Sequence, residues 1–297
     1  MNICLFKQEE LNRPLSIKDK RGEHIIKILH KKEGDTFSAG VINGMAGTAT
    51  IKKIENGEIT FDFAPDSEGK NLYPLKMIIG FPRPIQLKRL LRDIAALGVQ
   101  EVHLTGTELG EKSYMQSNLV EHGTAYQMLL DGTVQAASTH VPDLFLHKTL
   151  KDCLESVISE KEQCKNAKIL KLCMDNINPK GSLFSVLQEQ YEKPALVVAA
   201  IGSERGWTQK EREMLESAGY LRVGMGPRVM RTETAATVSA SIISACMGWM
   251  EKQASQIYFH LRYFKNIVFY KYELCNRQFG NSEFTFRKIY KIRKNLV

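Results

Sequence analysis

The rhythm of apolar and polar positions changes once along the chain, near residue 72. Before that point, "GDTFSAGVINGMAGTATIKKIENGEITFDF" alternates in short segments that break at Asn43-Gly44 and Asn56-Gly57. Asn-Gly is the strongest two-residue hairpin signal, because both central positions of a type I′ turn need positive φ. Residues 1–72 are therefore expected to form a small β domain. Ahead of the hairpins, "KRGEHIIKILHKKEGD" fits a helical turn or a strand equally well. Pro65 and the run "PDSEGKN" have the composition of a linker.

Beyond the linker, "LKMIIGF" (75–81), "VQEVHLTG", "AKILKLCMD" (167–175), "ALVVAAIG" and "YLRVGMG" are compact apolar runs that predict strands. Helical spacings separate them: "IQLKRLLRDIAALG" with Pro84 at its start and Gly98 at its stop, a long pattern from about Gln116 to Ala137, "TQKEREMLESAG", and the closing "RTETAATVSASIISACMGWM". This alternation predicts an α/β domain over 73–250. Its sheet should be largely parallel, with ligand sites at the C-terminal ends of the strands.

Composition agrees with two domains: 297 residues, 43% apolar and 25% charged. The first residues hold no apolar leader, and "VSASIISACMGWM" is too short to span a bilayer, so a cytoplasmic protein with no membrane partner is expected. Six cysteines without a C-x-x-C pair or an accompanying histidine cluster predict reduced thiols and no metal. The net charge of +8 is local. Between Ser255 and Val297, nine Lys or Arg face only Glu273 and Glu283, and eleven of the 25 aromatic residues lie there. Residues 251–297 therefore stand apart as a basic, aromatic extension. Aromatics beside cations can stack bases and hold phosphates; an extra packed element with solvated charges has the same composition.

Two segments carry the chemistry. In "ALVVAAIGSERGW", an apolar run ends at Gly202 and Gly206, which permit close approach of a ligand to the main chain. Thr208 and Glu211 have the spacing of a capping box for the next helix. In "VGMGPRVMRTETAA", a second strand leaves through Gly224 and Gly226, followed by Arg228 and Arg231, and "TETAA" opens a helix whose start favours anions. Arg231 and Glu233 could equally form a plain salt bridge there.

Together these segments resemble the G-P-E-G-G and L-G-x-R-I-L-R-x-E-T-A motifs of the rRNA uridine-N3 methyltransferases of the SPOUT superfamily, the RsmE family. The resemblance runs in order over roughly residues 1–250. "EHIIKILHKKEGD" is similar to the family's H-x-x-x-V-L-R segment and its following G-D; "RLLRDIAALGVQEVHLTGTELGEKS" to its helix, L-G-V and E-R-S; "VQAASTHVPDL" to its E-Q-S-G-R and V-P. It implies an N-terminal PUA-like β-barrel and a C-terminal SPOUT-type α/β domain with a deep trefoil knot. It also implies a homodimer joined through the closing helix, S-adenosylmethionine as cofactor, and 16S rRNA of the small ribosomal subunit as substrate. The cofactor loops carry over as the turn Leu172, Cys173, Met174 to Asp175; the loop Gly202, Ser203, Glu204, Arg205, Gly206; and the run Val223, Gly224, Met225, Gly226 through Val229 and Met230. Three departures stand out. Arg205 replaces the middle glycine of the first motif and would be strained if that position needs positive φ. His30 and Ser138 replace family arginines that face RNA.

Uridine N3 carries a proton and needs a base, or a cation that stabilises the deprotonated ring, before it can accept a methyl group. Arg231 is the expected cation, with Glu233 orienting it or taking the proton, and Glu204 is the alternative base. Arg83, Lys88, Arg89 and Arg92 form one candidate phosphate track, with Arg228 nearby in function; Arg21, Lys27, His30, Lys31 and Lys32 form another. The competing assignments are a SPOUT methyltransferase for another RNA or base, and an RNA-binding protein with a decayed cofactor loop.

Overall fold

The computed structural model describes residues 2–115, 123–158 and 168–251. The basic aromatic tail from Ser255 and the first turns of the helix expected from Gln116 lie outside the described residues. Met1–Met247 form one compact unit and Gly248–Val297 a second. Among the described residues no helix is long and apolar enough to cross a membrane.

The first unit contains two sheets. Strands β1 (Cys4–Phe6), β2 (Leu15–Ser16), β3 (Thr36–Val41), β4 (Ala46–Glu55) and β5 (Glu58–Ser67) form a mixed sheet in the order β1-β3-β4-β5-β2. Alternating inward residues Phe37, Ala39, Ala49, Ile51, Ile59 and Phe61 close a core with Phe6 and Ile25. The ambiguous segment is helical: α1 (Lys20–Glu23) runs into a single π turn, His24–Ile28, and Asp19 caps its start by accepting the Arg21 N–H.

Both hairpins form, by different means. At Asn56-Gly57 both residues have positive φ (51° and 79°), as a type I′ turn requires. In the other, Asn43 alone is left-handed, and the loop closes through Val41 N–H to the Met45 carbonyl at 2.9 Å. Asn43 is held from outside: its N–H donates to the Thr139 carbonyl at 2.9 Å and its Oδ1 accepts the Val141 N–H at 2.8 Å. The expected linker at Pro65 is corrected. Pro65 lies inside β5, opposite Gly47 and beside a register shift. Strand β2 pairs with β5 only at Glu58 and Ile59, so at Pro65 the strand has one neighbour and a missing N–H is tolerated.

Arg21 is a structural residue in this unit. Its guanidinium donates to Glu10 at 2.9 and 3.1 Å, to Asp19 at 3.0 Å and to the Leu5 carbonyl at 2.9 Å, and lies 4.7 Å from the centre of the Phe6 ring. It is therefore not a free phosphate contact. Hydrogen bonds from Arg21 hold the Asp19 and Glu10 carboxyls below the ordinary carboxylate range. A depressed carboxyl stabilises the fold above its unfolded value, and that contribution is lost as pH falls through the folded value. Urea midpoints of the wild type should therefore fall more steeply than those of Arg21→Met from about pH 5 to about pH 3; parallel curves would show that the cluster does not couple to folding.

The second sheet is entirely parallel. It comprises β6 (Tyr73–Gly80), β7 (Val99–Thr105), β8 (Asp143–His147), β9 (Ile169–Met174), β10 (Leu196–Ile201) and β11 (Leu221–Val223), in the order β11-β9-β10-β6-β7-β8. All six residues of β10 are buried, which explains its continuous apolar run. Helices α2 (Pro84–Ala96), α3 (Lys112–Met115), α4 (Thr124–Gln135), α5 (Leu150–Ser156), α6 (Leu183–Gln188), α7 (Gln209–Ser217) and α8 (Thr232–Met247) connect and cover it. Pro84 opens α2 as expected, and Gly98 ends the turn behind it at φ 77°. Strand β11 is an outer strand beside β9, yet α8 packs on α2, α6 and β6. The chain between them thus returns across the C-terminal ends of the strands.

Candidate active site

Three loops leave adjacent strands at that end. After β10, Gly202 and Gly206 face each other so closely that a Cβ on Gly202 would stand 2.9 Å from the Gly206 carbonyl carbon. Gly206 takes the left-handed turn at φ 72° and donates its N–H to the Ser203 carbonyl at 2.8 Å. The positive φ thus falls on Gly206; Arg205 is exposed with an ordinary backbone, and the expected strain is absent. Trp207, 2% exposed, anchors the loop from behind. The capping box at Thr208 and Glu211 forms as its spacing predicts. Buried Glu211 also accepts the Glu108 N–H at 2.8 Å, tying the loop after β7 to the loop after β10.

After β9, the Asp175 carboxylate accepts the Ile177 N–H at 3.0 Å and the Arg212 Nε–H at 2.6 Å. Both side chains of that ion pair are buried, at 6% and 10% exposure. The third loop follows β11. Gly224 bridges to Ser182 and accepts the Leu183 N–H at 2.8 Å; Gly226 turns at φ 105°; and Thr232 at the start of α8 reaches the Gly202 carbonyl at 3.4 Å.

All three loops line one cavity of about 240 Å³. Of the expected cofactor residues, Met174, Gly202, Ser203, Glu204, Gly206, Met225, Val229 and Met230 line it. Leu172, Cys173 and Val223 are buried strand residues behind it, and Gly224 and Gly226 shape the third loop without lining the cavity. Arg228 is on the lining, as are Trp207 and Arg212, which sequence patterns did not single out. Arg212 had one available signal: the buried positions Glu211, Arg212 and Leu215 of α7 share one helical face. Arg231 is exposed, Glu233 is partly buried, neither lines the cavity, and no ion pair among the described residues joins them.

Glu204 points elsewhere as well. Its carboxylate lies 3.2 Å from Arg83 Nε, in the wall of a second, smaller cavity. Arg83 thus joins the site rather than a distant track. Of the other basic candidates, Arg92 approaches Asp131 at 3.4 Å and Lys27 pairs with Glu23 at 2.8 Å, while Lys88, Arg89, His30 and Lys32 are exposed. Lys31 lines a separate cavity of about 380 Å³ against β1 and β3. Ser138 is 8% exposed and donates to the Lys70 carbonyl at 3.2 Å, so it serves a turn.

A histidine cluster that the spacing did not disclose lies outside these cavities. His103 Nδ1 is 3.0 Å from His147 Nε2, and His103 Nε2 is 3.0 Å from Glu101, which pairs with buried Lys76 at 3.0 Å. Ligand atoms of His103, His147 and Cys153 lie within 4.8 Å of one another. Burial and the neighbouring His103 push His147 down, and burial pushes the Cys153 thiol up to about 12. With the rings paired to each other and the thiol protonated, the cluster is a satisfied polar chain within the sheet.

A sequence profile of the RNA methyltransferase domain matches residues 69–244. The chain is 37% identical over 258 residues to the ribosomal RNA small subunit methyltransferase E of Treponema pallidum, covering 85% of this chain and 94% of that one. It is 29% identical to the ribosomal RNA small subunit methyltransferase E 1 of Borreliella burgdorferi, covering 82% and 98%. Among solved structures, a ribosomal RNA small subunit methyltransferase E from Neisseria gonorrhoeae, bound to S-adenosyl methionine, superposes with a TM-score of 0.66 at 16% identity, over 82% of this chain and 97% of that one. The last likeness is one of fold.

Proposed function

The chain belongs to the ribosomal RNA small subunit methyltransferase E family, and from that premise we propose that it methylates N3 of a uridine in 16S rRNA, using S-adenosylmethionine. The observation that carries this assignment is the meeting of three loops, two of them bordered by glycines, around one cavity at the C-terminal ends of β9, β10 and β11.

The residues present suit the cofactor. Met225, Val229 and Met230 offer apolar surface, and the Gly202–Gly206 loop offers main-chain groups. Two buried side-chain donors on the lining, Ser203 Oγ and Trp207 Nε1, have no protein partner. The Asp175–Arg212 pair fixes the floor. When bound, S-adenosylmethionine supplies an electrophilic methyl group on a sulfonium. The chain's part is to hold the acceptor in line and to manage its proton. Glu204 lies on the cavity wall and Glu233 and Arg231 do not, which favours Glu204 as the proton acceptor and leaves Arg231 for the RNA side.

Further parts of the proposal concern architecture. The crossing of residues 224–232 past the loop 175–183, stitched by the Gly224 hydrogen bonds, supports a trefoil knot. The mixed sheet of residues 1–72 supports a PUA-like barrel beside a methyltransferase domain over 73–250, with 251–297 as an appended segment. A homodimer through α8 is supported by its partly exposed apolar positions Val238 and Ile242. An rRNA substrate supports a cytoplasmic location.

In the test, the purified protein is titrated with S-adenosylmethionine by calorimetry, and 16S rRNA from a deletion strain is digested to nucleosides. Binding, together with loss of N3-methyluridine that the gene restores, is the expected outcome. No cofactor binding, or unchanged N3-methyluridine with another methylated nucleoside missing, would refute the assignment.

A further inference from the structure

The loop Ser203–Arg205 has cavities on two sides. The smaller, about 130 Å³, is walled by Phe81, Arg83, Tyr114, Ser203 and Glu204. We propose that it is the pocket for the acceptor base, and that it selects uracil over cytosine through Arg83, Glu204 and Ser203; this rests on the methyltransferase assignment above.

Three observations carry it. First, the two cavities share Ser203, Glu204 and Arg205, so a base in one would lie across a single loop from a ligand in the other. Second, Ser203 is 7% exposed and its Oγ is buried without a partner, although the loop around it is fully ordered by hydrogen bonds. A buried hydroxyl left unbonded costs about 1–3 kcal/mol unless something outside the protein completes it. Third, the polar groups alternate in kind. Arg83 is a donor, the Glu204 carboxylate 3.2 Å from it is an acceptor, and the Ser203 hydroxyl is again a donor. Tyr114 bonds the same guanidinium and steadies it. Buried Phe81 supplies an apolar surface.

Donor, acceptor, donor is the complement of one pyrimidine edge. Uracil presents O2, N3–H and O4: acceptor, donor, acceptor. Cytosine presents an acceptor at N3 and a donor at N4, and would set its N3 lone pair against the Glu204 carboxylate. The same arrangement performs the proton step. The N3–H bond breaks, the proton passes to a Glu204 oxygen, and the electron pair stays on the ring with its charge spread over O2 and O4. Arg83 and Ser203 face those oxygens and stabilise the anion. Glu204 is solvent-exposed at the loop surface, so the proton can leave to water.

The test uses the full-length protein with 30S subunits from a deletion strain, measured as single-turnover methylation across pH. Cofactor affinity is measured by calorimetry, and contact with uridine and cytidine monophosphate by saturation-transfer NMR. Glu204→Gln should slow methylation about 100-fold or more, abolish the wild-type plateau so that rate climbs with hydroxide, and leave cofactor affinity within about threefold. Ser203→Ala should weaken the uridine monophosphate signal while Arg83→Lys lowers the rate. Wild type should bind the uridine nucleotide in preference to the cytidine one. A Glu204→Gln rate within about threefold of wild type, equal signals from both nucleotides, or equal losses in rate and cofactor affinity would overturn the pocket. An inactive wild type that binds no cofactor would instead overturn the underlying assignment.

Discussion

Replacing Arg212 with alanine is expected to lower the free energy of unfolding by about 3–5 kcal/mol and to abolish cofactor binding. The reason is asymmetry. The Asp175 and Arg212 side chains are 6% and 10% exposed and meet at 2.6 Å, so removing the guanidinium leaves a carboxylate buried with only the Ile177 N–H to solvate it. A buried pair contributes little net stability, but half of one is costly. The double variant Asp175→Ala/Arg212→Ala should therefore be more stable than Arg212→Ala alone. It should still bind cofactor poorly, because the loop after β9 loses its anchor to α7. Urea unfolding of the three proteins separates these terms; an Arg212→Ala loss below about 1 kcal/mol would mean that water reaches the pair in solution.

That ion pair also marks where sequence patterns stop being informative. The strands of the parallel sheet could be read directly because β10 is buried on both faces and shows an unbroken apolar run. Strand β8 escaped because only two of its five residues are even partly buried, as befits an edge. Gly202, Gly206, Gly224 and Gly226 exposed the two loops because a demand for backbone freedom is written locally. Side-chain partnerships across loops are not. Asp175 with Arg212, Arg83 with Glu204, and His103 with His147 become neighbours only when the sheet order is known. Arg21 shows the converse hazard. A basic residue in a polar stretch suggests a phosphate contact until the fold supplies two carboxylates and an aromatic ring around it.

Gly80 gives the sharpest expected effect on activity. It ends β6 with an ordinary φ, so alanine could adopt its backbone without strain. Space is the obstacle: an added Cβ would stand 2.4 Å from the Ser203 nitrogen and 2.9 Å from its Cα. No rotamer change relieves a clash with main chain, so the loop must move by about 1 Å to reach contact distance. Ser203 and Glu204 line both cavities, and a displacement of that size can cost about 100-fold in rate. Gly80→Ala is therefore expected to lose about 100-fold in single-turnover rate and at least about tenfold in cofactor affinity, while unfolding free energy falls by only about 1–3 kcal/mol. Gly206→Ala is the contrasting case. Nothing lies within 4 Å of its added Cβ, but its φ of +72° costs alanine about 1–2 kcal/mol, a penalty that falls on the closed loop and leaves its target position unchanged. Cofactor should accordingly bind Gly206→Ala more weakly, yet react at a near-normal rate once bound, whereas saturating cofactor should not rescue Gly80→Ala. If saturation rescues both equally, the contact between the end of β6 and Ser203 does not set the position of the loop.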